Sequence, residues 1–160
     1  MAVFFVPSLF FILLGMSTEE HVEGYCFFMS KSLFVNLPIE NLTRSVDFFS
    51  HLGFTFNPQF TDEQSTCMIV SDNIFVMLLE HAKFQSFIEK SIASKDSTEA
   101  IFALSCESAE EVRTLTEKAF EKGARRLNDP EDMGFMFSWG FEDLDGHLWD
   151  VFWMNPDHVM

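Results

Sequence analysis

One short phrase occurs twice in this chain, and the repetition constrains the fold more than any other feature. The first copy is Asp72-Asn73-Ile74-Phe75-Val76-Met77-Leu78; the second is Asp145-Gly146-His147-Leu148-Trp149-Asp150-Val151. Each opens on a two-residue turn signal, Asp-Asn or Asp-Gly, and runs into an apolar strand. Well upstream of each lies a strand and then an amphipathic helix. One structural unit has been used twice, so a site between the units can be sought by position.

The first unit spans residues 33–80. Leu33 to Ile39 reads as a strand, and a helix follows from Leu42 to Leu52, with Leu42, Val46 and Phe49 at helical spacing and Gly53 as the stop. Strand-like runs then fall at 54–56, 67–70 and 74–79. A connecting helix is predicted over 83–93, with Phe84, Phe87, Ile88 and Ile92 on one face. The second unit, 99–154, opens with a strand from Ala100 to Cys106. Ser108-Ala109-Glu110-Glu111 then forms a capping box: the Ser hydroxyl takes the Glu N–H while the Glu side chain reaches back. That helix carries Val112, Leu115 and Ala119 inward and stops at Gly123. Strands follow near 125–127, 135–139 and 148–153. Phe34 and Ile101 are 67 positions apart, Met77 and Asp150 are 73 apart, and the difference places an inserted loop around 129–134.

The formal charge of −15, from 10 basic and 25 acidic residues, argues against nucleic acid as a partner. It favours cationic small molecules or basic partners through steering, although acidic surfaces also serve solubility alone. There are 21 Phe and one Tyr. Phe needs no hydrogen-bond partner, so it suits a dry core first and an aromatic cavity second. Cys26, Cys67 and Cys106 show no C-x-x-C spacing and are odd in number, which argues against a disulfide framework and a structural zinc site. A reducing, cytoplasmic setting fits them.

Residues 1–28 stand apart from the domain at 29–160. Ala2 to Leu14 is an apolar run, shorter than the roughly 20 residues a membrane span needs. No Lys or Arg precedes it, no small-x-small cleavage site follows it, and Pro7 interrupts it. An export signal, a membrane-interface anchor and an upstream extension of the reading frame all remain open; the last is preferred, because Met29 immediately precedes the first convincing strand.

The segment Phe34-Val35-Asn36-Leu37-Pro38-Ile39-Glu40-Asn41-Leu42-Thr43-Arg44-Ser45, with Phe48 and Phe49 following, resembles the opening strand and helix of the vicinal oxygen chelate superfamily, which includes glyoxalases, bleomycin-resistance proteins and extradiol dioxygenases. Asp143-Leu144-Asp145-Gly146-His147-Leu148-Trp149-Asp150-Val151 is similar to that family's closing phrase, Asp-Pro-Asp-Gly-x-x-x-Glu-Leu. The resemblance implies an α+β fold of two βαβββ modules whose curved sheets form a ligand cup with helices outside. The cup is completed within one chain or between two chains of a homodimer.

In metal-using members four cup positions carry His, Gln or Glu. Carried over, they fall at Phe34, Met77 (Leu79 if the register slips by two), Ile101 and Asp150. A divalent site needs about three or more N, O or S ligands, and Met suits soft Cu(I), so no catalytic metal and no cofactor is expected here. His51, His81, His147 and His158 lack ligand spacing and read as solvent-facing or turn histidines.

Strand alternation then gives the cup lining. Phe34 and Asn36 face in, with Met77; so do Ile101, Ala103 and Ser105, and Leu148, Asp150 and Phe152; Phe135, Phe137 and Trp139 wall the cavity. Asp150 is the candidate catalytic group, a carboxylate expected to be raised in pKa by desolvation. The implied function is binding of a small organic molecule without a metal, as in bleomycin-resistance proteins. The alternatives are a family enzyme, lactoylglutathione lyase-like or dioxygenase-like, and a scaffold whose cup has collapsed.

Overall fold

The computed structural model describes residues 31–94 and 96–158. The apolar run and its three readings, with Cys26 and His21, lie outside the described residues. In the first module, strand β1 (Leu33–Ile39) leads into helix α1 (Leu42–Leu52), short strand β2 (Thr55–Asn57), a single 3-10 turn, and strands β3 (Ser65–Ser71) and β4 (Ile74–Glu80). The second module repeats the plan with β5 (Ile101–Ser105), α3 (Ala109–Glu121), β6 (Arg125–Arg126), β7 (Glu131–Asp132), β8 (Met136–Glu142) and β9 (Leu148–Met154). Each module makes its own open sheet, ordered β1-β4-β3-β2 and β5-β9-β8-β6, with β7 also paired to β8. Within each sheet the first strand runs parallel to the last. The fold is α+β, two βαβββ units.

The local signals explain the elements. The Asn41 side chain accepts the Arg44 N–H to start α1, and Gly53, at φ 107°, ends it in the left-handed conformation that costs a Cβ-bearing residue most. The Ser108 hydroxyl accepts the Glu111 N–H to start α3, as predicted. The reciprocal half of that box is displaced by one residue: the Glu111 carboxylate accepts from Glu107 N–H at 2.7 Å.

Ladder register fixes how the modules correspond. Phe34 pairs with Phe75 and Asn36 with Met77; Ile101 pairs with Leu148 and Ala103 with Asp150. Phe34 therefore matches Ile101, and Met77, not Leu79, matches Asp150. The inserted residues do not all lie at 129–134. Helix α3 has 13 residues and α1 has 11, and α3 is capped by Lys122 ahead of Gly123, so three of the six extra positions fall between the N-cap and the closing glycine, two of them in the helix itself.

One apolar core joins the helices to one face of each sheet. Leu37, Val76 and Leu78 of the first sheet and Phe141, Trp149 and Val151 of the second are all buried with Phe48, Phe49, Val112 and Ala119. Phe49 meets Trp149 edge-on at 5.5 Å and Phe48 lies 6.2 Å from Phe141, so α1 packs against the second module's sheet. Burial of side chains of this size is worth about 1.5–3 kcal/mol each. Cys106 is partly buried beside this core, and Cys67 is buried opposite Met77 on the other face of the first sheet.

The connector departs from expectation. The helix predicted over 83–93 is α2, His81–Gln85, only five residues long. The apolar spacing beyond it is helical, but Phe87 is 68% exposed and Ile88 36% exposed, so no packing face supports a longer helix. The Gln85 side chain instead donates to the carbonyls of Ile88 and Lys90, at 3.0 and 2.9 Å. No helix among the described residues is long and apolar enough to cross a membrane.

Candidate functional site

The sheet faces opposite the core are open along β1 and β5 and partly covered elsewhere, with Ser65, Cys67, Leu79 and Ser138 buried on them. Along β5, Ile101, Ala103 and Ser105 are exposed while Phe102 and Leu104 are half-buried. Phe34 and Asn36 are exposed beside buried Leu37, and Met77 is half-buried between buried Val76 and Leu78. On β9, Leu148, Asp150 and Phe152 are half-buried while Trp149 and Val151 are buried. The first sheet thus brings Phe34, Asn36 and Met77 to one face, and the second brings Ile101, Ala103, Ser105, Asp150 and Phe152 to one face.

Phe137 and Trp139 are on the other face. The β8–β9 register puts Phe137 opposite Trp153 and Trp139 opposite Val151, so both share the helix side. Phe137 lies under the Arg113 guanidinium at 4.1 Å, and Trp139 meets Phe120 of α3 at 5.2 Å. The residues of β8 that alternate onto the open face are Met136, Ser138, Gly140 and Glu142. Phe135 precedes the strand and stacks on His158 at 4.5 Å. Extending the period of β8 by its aromatic residues assumed that they faced a ligand, when burial against α3 had the stronger demand for them.

The four positions implied for a metal hold little that could ligate one. Phe34 is stacked on Phe75, with ring centroids 4.7 Å apart. Ile101 is an exposed alkyl chain and Met77 offers only a thioether. Asp150 alone brings oxygen. Such a set does not fit a divalent ion. Among the described residues no three of His, Cys, Asp and Glu gather as a metal site. Asp150 itself sits between Ala103 and Gly140, and no described residue hydrogen-bonds or ion-pairs with its carboxylate.

The densest polar cluster is the turn between β8 and β9. Asp145 accepts from Glu40 N–H at 2.8 Å, from Ser45 Oγ at 2.8 Å and from Arg44 Nη2 at 2.5 Å. Helix α1 has no acidic residue in its first turn, and Asp145 supplies that charge from the other module. Asp143 accepts from the N–H groups of Asp145 and His147 and from Trp149 Nε1. Burial pushes the Asp143 carboxyl above the usual range, opposed by His147 and those donors. His147 is 5% exposed: Nε2 lies 2.8 Å from the Pro38 carbonyl oxygen and Nδ1 2.8 Å from Glu99. A histidine read as solvent-facing or simply as a turn residue is thus a buried tie between modules. A cavity of about 50 Å³ beside it has room for no more than a water or two. His51 instead pairs with Glu121 at the surface.

Sequence reasoning missed this cluster's role because it read Asp145-Gly146 only as a turn. An α1 first turn rich in donors and lacking an acid was the available signal. A larger cavity, about 290 Å³, lies on the open face of the first sheet. It is lined by Asn36, Leu79, Phe84, Phe87 and Ile88. Helix α2 packs against β1 and β4 and covers Leu79, which is 3% exposed despite lying on the open face. Lys83 holds α2 down by contacts to the Asp62 carboxylate and, at 2.8 Å, the Ser65 hydroxyl. The Lys83 ammonium and the Gln64 N–H lower the Asp62 carboxyl to about 2.

Residues 31–71 match the family described as bleomycin resistance protein-like N-terminal. A hypothetical protein from S. aureus is 28% identical, with a TM-score of 0.67 over 78% of this chain and 94% of its own. The fold is that of the glyoxalase and bleomycin-resistance proteins. A glyoxalase-related enzyme from Fulvimarina pelagi superposes with a TM-score of 0.67 at 18% identity, covering 80% of this chain and 89% of that one. The fosfomycin resistance protein FosX from Listeria monocytogenes gives 0.59 at 18% identity, over 82% and 96%. No curated protein sequence matches the chain significantly. The resemblance to the vicinal oxygen chelate superfamily stands on the matched opening segment and the shared fold together.

Proposed function

We propose that this glyoxalase-like domain binds a small organic molecule against the open faces of its sheets, with no metal at the four family positions. The observation that carries the reading is the division of faces. The sides carrying Phe34, Asn36 and Met77, and Ile101, Ala103, Asp150 and Phe152, are apolar yet at least partly open, while the opposite sides are packed. Apolar walls with a few placed polar groups are the usual make-up of a small-molecule site. Asp150, with no partner among the described residues, is the charged group available to a cationic substituent.

The test is metal analysis of the purified full chain alongside ligand titration by calorimetry. Saturable binding of a small amine-bearing aromatic by protein holding no stoichiometric divalent ion supports the reading; one tightly held divalent ion per chain removes it.

The same unpartnered carboxylate favours a second reading, an enzyme of the lactoylglutathione lyase or dioxygenase type in which Asp150 moves a proton. Turnover of the methylglyoxal–glutathione hemithioacetal or of catechols, lost in Asp150→Asn, is the outcome that this reading requires.

A further inference from the structure

We infer that the cavity beneath the connector is the ligand site of the first module. It takes an uncharged, mainly apolar molecule with one hydrogen-bonding group, held by Asn36. This rests on the small-molecule reading above and assigns the first sheet a neutral guest of its own, apart from the cationic substituent that Asp150 of the second sheet would take.

The walls set the class. Leu79, Phe84, Phe87 and Ile88 are apolar, and none of the five lining side chains is charged. Asn36 is the polar exception. Its amide offers donors and an acceptor, and it has no hydrogen-bond partner among the described residues. One such group fixes the orientation of a ligand that apolar contact holds in place. An anion finds no cation in the wall and meets a chain of formal charge −15, so carboxylates, phosphates and phosphonates are disfavoured. The volume of about 290 Å³ lies at the lower end of ligand pockets, which run from about 300 Å³ upward.

The roof is built rather than draped. Lys83 ties α2 to Asp62 and Ser65 on one side, and the Gln85 side chain closes the turn that presents Phe87 and Ile88 on the other. Yet Phe87, at the mouth, leaves 68% of its surface exposed. A fixed segment that holds a large aromatic half over an apolar hollow is completed by a guest that covers the ring.

The test is calorimetric titration of the full chain with three probes: 1-naphthol, naphthalene and 1-naphthoate. Asn36 and Phe87 are exposed, and thermal melts verify that Asn36→Leu and Phe87→Ser stay folded. The expected result is that 1-naphthol binds about tenfold more tightly than naphthalene and that the anion does not bind. Asn36→Leu then erases the difference between the two neutral probes, and Phe87→Ser weakens both about tenfold. If 1-naphthol binding survives both substitutions but is lost in Ala103→Trp, the cavity is the wrong place while the small-molecule reading stands. Preferential binding of 1-naphthoate overturns the chemical class. If none of these probes and no amine-bearing aromatic binds, both readings fall.

Discussion

The Asp145 carboxylate lies 2.8 Å from the Ser45 hydroxyl and 2.5 Å from Arg44 Nη2, so one side chain of the β8–β9 turn closes the first turn of α1 in the other module. The phrase most diagnostic of the fold is also a clasp between its halves. Its turn depends on Gly146, at φ 99°, a backbone conformation that a Cβ would strain.

Removal of that clasp should cost stability without touching either open face. The Asp145 side chain is 4% exposed while Arg44 is 38% exposed, so the pair is buried at one end only. Asp145→Ala is expected to lower unfolding free energy by about 2–4 kcal/mol, less than a fully buried ion pair would lose at the top of its range. Asp145→Asn, which keeps an acceptor, should lose about half as much. Urea unfolding measures both. A loss under about 0.5 kcal/mol for the alanine variant means that the modules are held by the core alone.

His147 offers an independent probe of the same junction. A carbonyl oxygen only accepts, so Nε2 donates to Pro38, and the ring ties the edge strand β1 to the second module. His147→Phe keeps the ring's bulk but leaves that carbonyl without its donor, at an expected cost of about 1–3 kcal/mol. His147→Gln can still donate and should cost less. Equal losses in the two variants mean that packing, not the hydrogen bond, is what the ring supplies.

Two carboxyl groups give stability profiles of opposite sign in acid. The Asp62 carboxyl is lowered to about 2 by Lys83 and the Gln64 N–H, so its contribution is present above the ordinary value of 3.8 and is lost as pH falls through about 2. Asp143 is raised by burial, so its contribution is fullest below 3.8 and declines as pH rises through the raised folded value. Urea midpoints against pH should therefore show the gap between wild type and Asp62→Asn closing toward pH 2. The gap to Asp143→Asn should widen there. Parallel profiles in both variants overturn these assignments.

The paired modules, the bounds of α1 and the alternation of β1, β5 and β9 were legible in the sequence, because each rests on a local rule: a cap, a glycine stop or a period of two. The side on which Phe137 points was not, since a strand of alternating apolar residues names two faces without saying which one meets the helix. Nor was the short α2. The spacing of Phe84, Phe87, Ile88 and Ile92 satisfies a helix, but only tertiary contact decides whether the face has anything to cover, and here Phe87 stays exposed. His147 escaped for a related reason: both its partners, Pro38 and Glu99, are remote in sequence.

Cys106 should be chemically quiet. Burial, with Glu111 nearby, pushes its thiol up to about 11. At pH 8 only about one thiol in a thousand is then ionised, against roughly a quarter for a free cysteine. In a Cys26→Ser background, Cys106 should react with a disulfide reagent about twentyfold more slowly than free cysteine, the higher nucleophilicity of a high-pKa thiolate offsetting part of the lost ionisation, and Cys67, 1% exposed, should react only on unfolding. A fast-labelling native thiol in that background contradicts the packing around one of the two.

The domain boundary has its own test. The residues that form the shared core run from Leu37 to Val151, and the unit of dense internal contact begins at Lys31. The first ladder position, Leu33, is tied by its N–H to the Asn73 carbonyl at 2.8 Å, within the first module. A chain beginning at Met29 retains every one of these contacts. We expect it to melt cooperatively and within a few degrees of the full-length protein, because every core side chain among the described residues is kept. A non-cooperative melt, with near-ultraviolet signals from the buried Trp149 lost at room temperature, is the result that would show residues 1–28 to be part of the folding unit.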